Sequence, residues 1–178
     1  MEKAIVGEKI YLRPMQVEDT DLILSWRNAD IVKKNFIYQK DLTREQHLNW
    51  IHEKVEKGEV IQFIVCDKET DKPLGSTYLQ HFEREHHKAE WGIFLAEEAC
   101  GKGIGSQAAE LTKKYAFEVC KLHKVFGRIL AFNEASIRIQ QKAGFQKEAY
   151  LKDDVLINGK YQDVILMAAL SPCDIDAV

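Results

Sequence analysis

Residues Cys100-Gly101-Lys102-Gly103-Ile104-Gly105-Ser106-Gln107 set glycines at alternate positions, between the apolar run Trp91 to Ala96 and a long amphipathic pattern. A strand that ends, a glycine turn and a helix that starts can aim backbone N–H groups at one anion. Glycine tolerates positive φ and lets a ligand approach without a Cβ in the way. Successive amides in such a turn form an anion-binding concavity, and the helix N-terminus adds partial positive charge. Lys102 adds a full charge. The stretch reads as a phosphate or pyrophosphate cradle, with a ligand-free strand-to-helix turn as the other reading. No Lys-Ser or Lys-Thr pair follows the last glycine, so it is not a P-loop. Its one-one spacing does not fit the dinucleotide fingerprint.

The rest of the chain must supply a core around this turn. At 178 residues, with 46% hydrophobic and 30% charged residues, it reads as one globular domain, residues 1–178. A net charge of −3 gives no general reason to expect a nucleic-acid or membrane partner. The first nine residues lack the apolar centre of a signal peptide, and no apolar run approaches membrane-spanning length. Cys66, Cys100, Cys120 and Cys173 are widely spaced without a C-x-x-C pair. That suits a reducing cytoplasm and argues against a disulfide framework or a zinc ribbon, so no metal is expected.

In chain order, 9–15 alternates as a near-edge strand ending at Pro14. Glu18 to Asp21 offer N-cap chemistry for a helix carrying Leu22, Ile23 and Trp26, stopping near Asn28. Thr43 and Gln46 fit a capping box for a helix that Gly58 closes. Strands are expected at 60–66, 74–82 and 89–96, the first two as a hairpin. The glycine turn leads to a helix over 106–121 with Ala108, Leu111, Tyr115, Val119 and Leu122 inward. A strand over 124–132, a short helix from Asn133 to Gly144, and strands at 145–151 and 161–170 around Asn158-Gly159 complete the pattern. Trp26 and Trp50 read as core anchors of the first helices.

With these elements placed, the sequence resembles the GNAT superfamily of N-acetyltransferases over about residues 9 to 170. Three stretches carry the resemblance: Glu90-Trp91-Gly92-Ile93-Phe94-Leu95 with Gly101-Lys102-Gly103-Ile104-Gly105; Phe132-Asn133-Glu134-Ala135-Ser136-Ile137-Arg138; and Lys142-Ala143-Gly144-Phe145. Leu12-Arg13-Pro14 and Trp26-Arg27-Asn28 look like the branch that acetylates N-termini of ribosomal proteins and related amines. Arg27-Asn28, Phe36-Ile37-Tyr38-Gln39 and His47-Leu48-x-Trp50-Ile51 are also similar to N-acetyltransferases of UDP-linked 4-amino sugars. Two positions depart from the family pattern. Cys100 stands where Arg or Gln usually opens the phosphate loop, and Gln140 stands where many relatives have a Tyr that protonates the leaving thiolate.

The resemblance implies an α/β fold with a mixed, mostly antiparallel sheet flanked by helices. It implies acetyl-CoA as co-substrate, a direct attack in a ternary complex, and a homodimer as the usual assembly. Ile93, Phe94 and Leu95 would meet the pantetheine arm; Gly101 to Ser106 (Gly101, Lys102, Gly103, Ile104, Gly105, Ser106) the pyrophosphate; Asn133 the pantetheine amides, with a cap of the following helix as its other reading; and Ser136 the thiolate end. Removing the amine proton needs a base at neutral pH, since alkyl amines titrate near 10. Glu90, which shares a strand face with Gly92 and Phe94, is the candidate base; the other reading is a salt-bridged strand carboxylate. Ser136 is the candidate at the thiolate, or a helix cap. Arg27, Asn28, Tyr38, Gln39 and His81 are expected to line the acceptor site. The acceptor is expected to be an amino sugar nucleotide or another small amine, with a protein N-terminus as an alternative and a non-catalytic acyl-CoA-binding module as another.

Overall fold

The computed structural model describes residues 4–172; Cys173 and the first three residues lie outside them. The chain opens with β1 (Ile5–Val6) and β2 (Ile10–Pro14), the latter one strand in from the edge as its sequence suggests. A 3-10 turn at Val17–Asp19 leads into α1 (Thr20–Arg27). Asp19 does not cap that helix as expected. Its carboxylate accepts both Arg13 Nη groups at 2.7 Å and the Gln16 N–H at 2.8 Å, which pins the end of β2 to the start of α1.

Next come α2 (Asp30–Lys33) and α3 (Arg44–Trp50), the latter running on through a wide turn at Ile51–Val55. The capping box forms: Gln46 N–H donates to Thr43 Oγ1, and Thr43 N–H donates to Gln46 Oε1. Then follow β3 (Ile61–Asp67), β4 (Pro73–Glu83), β5 (Lys88–Leu95), α4 (Ile104–Glu118), β6 (Lys124–Leu130), α5 (Glu134–Lys142), β7 (Gln146–Ile157) and β8 (Lys160–Leu170).

Several boundaries differ from the pattern reading, β6 among them, which ends at Leu130 rather than 132. α4 starts at Ile104, because Gly103 takes a left-handed conformation (φ 80°) and serves as its N-cap. It stops before Val119, which is 59% exposed rather than core, and Lys121 (φ 56°) turns the chain away. β7 runs on to Ile157 instead of stopping at 151, because an irregularity between Leu151 and Val155 lets its pairing with β8 resume. The tight turn follows, with Asn158 and Gly159 both at positive φ, as a type I′ hairpin requires.

All strands share one sheet in the order β1-β2-β3-β4-β5-β6-β8-β7, antiparallel except for β5 beside β6. Odd positions of β4 and β5 face α4: the Thr77 and Thr112 hydroxyls lie 3.1 Å apart, and the Trp91 indole N–H donates to Thr77 Oγ1 at 2.8 Å. Even positions face the segment around α1 to α3, where Phe94 packs edge-on against Phe36. Small residues on α4, Ala108, Ala109 and Ala116, are fully buried and let the helix lie close to the sheet. Thus helices cover both faces, α4 and α5 on one, α1 to α3 on the other. Among the described residues no helix is long and apolar enough to cross a membrane.

Candidate active site

The parallel pairing of β5 with β6 covers only Lys88–Glu90 against Lys124–Phe126. Beyond Glu90 the strands separate, β5 staying with β4 and β6 with β8. A cavity of about 940 Å³ occupies this opening. Trp91 and Ile93 line it from one sheet face, Gly92 and Phe94 from the other, so it passes through the sheet. Ile93, Phe94 and Leu95 therefore border the gap, where strand backbone lacks a β6 partner.

At one end of β5 lies the glycine turn. Gly101 (φ 75°) and Gly103 (φ 80°) are both left-handed, and a Cβ built at either would meet nothing within 4 Å. The first amides of α4 have no intrahelical acceptor and face outward from this open concavity. Ile104 is buried and anchors the turn; Lys102 is exposed at its rim and Ser106 follows in the first turn. Gly105 has a different duty: a Cβ there would come within 2.6 Å of Ile139 Cδ1 on α5. Cys100 lines the cavity, and its thiol donates to Ala96 O at 3.5 Å. Burial, then the charges of Glu97 and Glu98, push that thiol up, so it stays protonated. Gln107 supplies a contact that the sequence did not signal. Its Oε1 accepts the Lys9 and Ile10 N–H groups at 3.0 and 2.9 Å, tying α4 to β2.

Across the gap, Asn133, Ser136 and Gln140 line the cavity from the start and body of α5. Asn133, not Ser136, is the cap: its Oδ1 accepts the Ser136 N–H at 3.1 Å. Capping therefore does not occupy the Ser136 hydroxyl. Gln140 is buried, and its amide packs over Gly127 of β6, whose Cβ, if present, would lie 2.7 Å from Gln140 Nε2.

On the other face, Glu90 and His81 meet. β4 carries an irregularity between Gln80 and Glu83, and His81 there takes a left-handed backbone (φ 51°). A bulge of this kind re-aims a side chain. His81 Nδ1 lies 2.6 Å from Glu90 Oε2, and Gln80 Nε2 donates weakly to the same oxygen at 3.4 Å. The Glu90 side chain is 13% exposed and that of His81 is 71% exposed. Left-handed strain on a non-glycine beside a buried carboxylate is the sort of feature that marks functional sites.

The expected acceptor residues divide. Arg27 and Tyr38 line the cavity; Asn28 and Gln39 do not. Asn28 staples a loop, donating from Nδ2 to Leu42 O at 2.9 Å and accepting the Leu42 N–H at 2.8 Å. Gln39 is half-buried; it donates to Lys34 O at 2.8 Å and accepts from Asn158 Nδ2 at 3.3 Å. Trp50 borders the cavity and stacks on His47, so it is more than a core anchor, whereas Trp26 is buried as expected.

The Arg27 guanidinium is buried, packs 3.9 Å from the Phe36 ring centroid and donates from Nη2 to Tyr38 O at 2.5 Å. Burial lowers its pKa from the ordinary arginine value, though it stays a cation. It has no carboxylate partner among the described residues, and its Nη1 has no hydrogen bond. Three other buried side-chain atoms share that condition: His47 Nε2, Gln62 Oε1 and Gln140 Oε1. All four residues line this one cavity. Buried polar atoms are normally paired, and these four, each with less than 1 Å² of accessible surface, lie within the cavity wall and would meet a ligand only after their side chains turn. No sequence signal marked Gln62, whose place in the cavity wall depends on strand register, and His47 entered only within the His47-Leu48-x-Trp50-Ile51 resemblance. Among the described residues, no group of three or more His, Cys, Asp or Glu side chains is placed to hold a metal.

An unzipped parallel strand pair with an open amide turn beside it fits what the GNAT resemblance implies for an acyl-CoA-dependent transferase. The family model for the acetyltransferase (GNAT) domain matches residues 9–146, and the chain belongs to that family. It is 31% identical over 176 residues to the probable N-acetyltransferase YjcK of Bacillus subtilis, covering 94% of this chain and 97% of that protein. It is also 31% identical to the spermidine N(1)-acetyltransferase of Escherichia coli K12, covering 90% and 86%. The fold matches the crystal structure of spermidine N-acetyltransferase from Vibrio cholerae in complex with CoA and spermine, with a TM-score of 0.85, 23% identity and coverage of 92% and 96%. The protein is an N-acetyltransferase with acetyl-CoA as co-substrate, and it transfers the acetyl group to an amine.

Proposed function

We infer that the acceptor is a small primary amine carrying an anionic group and hydroxyls, as an amino sugar nucleotide does. The polar residues of the cavity wall that keep an unpaired side-chain atom support this reading. Arg27 Nη1 is a buried cationic donor; Gln62 Oε1 and Gln140 Oε1 are acceptors that suit hydroxyl groups. Glu90 is the single carboxylate among the described residues that line the cavity. A polyamine, the substrate named for the spermidine enzymes, would bring two or more further ammonium groups to a site with one carboxylate and the unpaired Arg27. Like charges of that kind are costly when desolvated.

In the reaction, Glu90 takes the amine proton, directly or through a water, and His81 holds the carboxylate in place. Amides along the unpaired edge of β5 face the developing oxyanion. The cradle at Gly101 to Ser106 receives the pyrophosphate, Asn133 meets the pantetheine amides and Ser136 serves the thiolate end. The chain is proposed to act as a single domain and to form a homodimer, which size-exclusion chromatography with light scattering checks.

The acceptor test is thiol release from acetyl-CoA with four amines: spermidine, a UDP-linked 4-amino sugar, glucosamine 6-phosphate and an Ala-terminated peptide. The anionic, hydroxylated amines should exceed spermidine in kcat/KM by at least about tenfold, roughly the value of one good charge-assisted hydrogen bond. A higher kcat/KM for spermidine would overturn the assignment.

A further inference from the structure

The leaving sulfur needs a proton, and Gln140, at the position where the resemblance expects the acid, has no acidic proton to give at neutral pH. Tyr78 brings a phenol to the same gap from the opposite face. It pairs across from Gly92, and its ring lies over that glycine: a Cβ built at 92 would overlap Tyr78 Cζ and the hydroxyl oxygen. Neighbouring strands are about 4.8 Å apart. The hydroxyl has therefore been carried from β4 across to β5, the strand that borders the opening. Tyr78 lines the cavity, and its hydroxyl makes no hydrogen bond with the described residues. Glu90 is two positions from Gly92 on the same strand face, diagonal to Tyr78.

We propose that Tyr78 is the catalytic proton donor to the leaving sulfur. The amine nitrogen attacks the thioester carbonyl, and its proton goes to Glu90. The C–N bond forms, and the C–S bond breaks with its electron pair on sulfur. The phenol proton passes to that sulfur, and the Tyr78 oxygen regains a proton from Glu90, directly or through one water. The net change moves one amine proton to sulfur and needs no further reactant.

Burial first, then the charge of Glu90, raises the phenol pKa, while Arg27 pulls the other way. Tyr78 thus holds its proton through neutral pH. A thiolate, whose thiol titrates near 8.5, is a far weaker base than a free phenolate, so loss and recovery of the phenol proton must run together. The relay is consequently only as good as the link between Tyr78 and Glu90.

The test uses the best acceptor of the four-amine panel. Tyr78→Phe should lower kcat about 100-fold, the usual loss of a general acid, with acceptor KM and the calorimetric Kd for acetyl-CoA within about twofold of wild type. Glu90→Gln combined with Tyr78→Phe should cost little more than the worse single variant. Gly92→Ala keeps the phenol but displaces its ring, and should reproduce the kcat loss. Should Tyr78→Phe lose its cooperative thermal transition, Gly92→Ala alone decides. A kcat within threefold of wild type in the folded variant, a loss confined to KM or Kd, or fully multiplicative losses in the double variant would each overturn the assignment. The ranking of amines has no bearing on this outcome, so it fails or stands apart from the acceptor reading.

Discussion

Gly103→Ala isolates what the left-handed cap of α4 contributes. An L-residue at φ 80° carries about 1–2 kcal/mol of strain, and a Cβ at this position meets nothing within 4 Å, so no clash adds to it. The strain must appear in one of two places. If the turn keeps its shape without ligand, the folded state bears the whole cost: stability falls by about 1–2 kcal/mol and affinity is unchanged. If the turn relaxes, stability holds, and coenzyme A must restore the left-handed form on binding. The Kd then rises about 5- to 30-fold. Because position 103 is exposed and packs against nothing, the larger share should fall on binding. Calorimetry with coenzyme A gives the affinity loss, and denaturant unfolding gives the stability loss. Their sum should reach about 1–2 kcal/mol. A sum below about 0.5 kcal/mol would refute the view that this cap conformation holds the pyrophosphate amides in place. Cys100→Ser, which alters no backbone angle, should change Kd less than Gly103→Ala.

Three further outcomes are expected. Gly105→Ala should act through packing against Ile139, lowering the melting temperature more than it weakens coenzyme A binding. Glu90→Gln should lower kcat at pH 7 by about 100-fold or more and recover toward wild type as pH rises, because the free amine fraction grows about tenfold per unit below pH 10; a parallel pH profile would remove Glu90 as base. Asp19→Asn should destabilise by about 3–5 kcal/mol in urea, since it leaves Arg13 buried without its counter-charge. Burial pushes the Asp19 carboxyl up, but the Arg13 hydrogen bonds, the Gln16 N–H and the Arg13 charge outweigh it and hold its pKa below the usual carboxylate value. Its contribution is therefore full above about pH 4 and is lost as pH falls through the lower folded value. The wild type should show that acid-limb loss in thermal melts, and Asp19→Asn should not.

Much of this molecule is written in local chemistry. The Thr43–Gln46 box, the Asn158-Gly159 hairpin and the left-handed glycines follow from residues within four positions of one another, and the sequence exposes such signals. The glycine turn and the strand before it were legible for that reason, because neighbouring residues build them. Of the candidate acceptor residues, Arg27, Tyr38 and His81 line the cavity, and Asn28 and Gln39 do not. Whether His81 points to solvent or to Glu90 depends on an irregular residue in β4, and alternation alone assigns it the wrong side. Tyr78 reads as an ordinary strand aromatic until Gly92 is seen opposite it. Asn28 and Gln39 sat in a stretch of the right character, yet one spends its amide on Leu42 and the other on Lys34 and Asn158. Val119 kept helical spacing beyond a helix that had already ended.

The Asn28 staple has a meaning for divergence within such proteins. The two bonds to Leu42 close the span from 29 to 41 into a tethered lobe that brings Phe36 and Tyr38 to the cavity, while the sheet beneath supplies Glu90, Gly92 and the glycine cradle. A lobe held by this staple and by the Arg27 bond to Tyr38 O can change its other side chains without disturbing the strands beneath. On the proposed reading, in which the lobe meets the acceptor, new acceptors can be tried at one end of the site at little risk to the chemistry at the other, so long as residues 27 and 28 continue to clasp the loop.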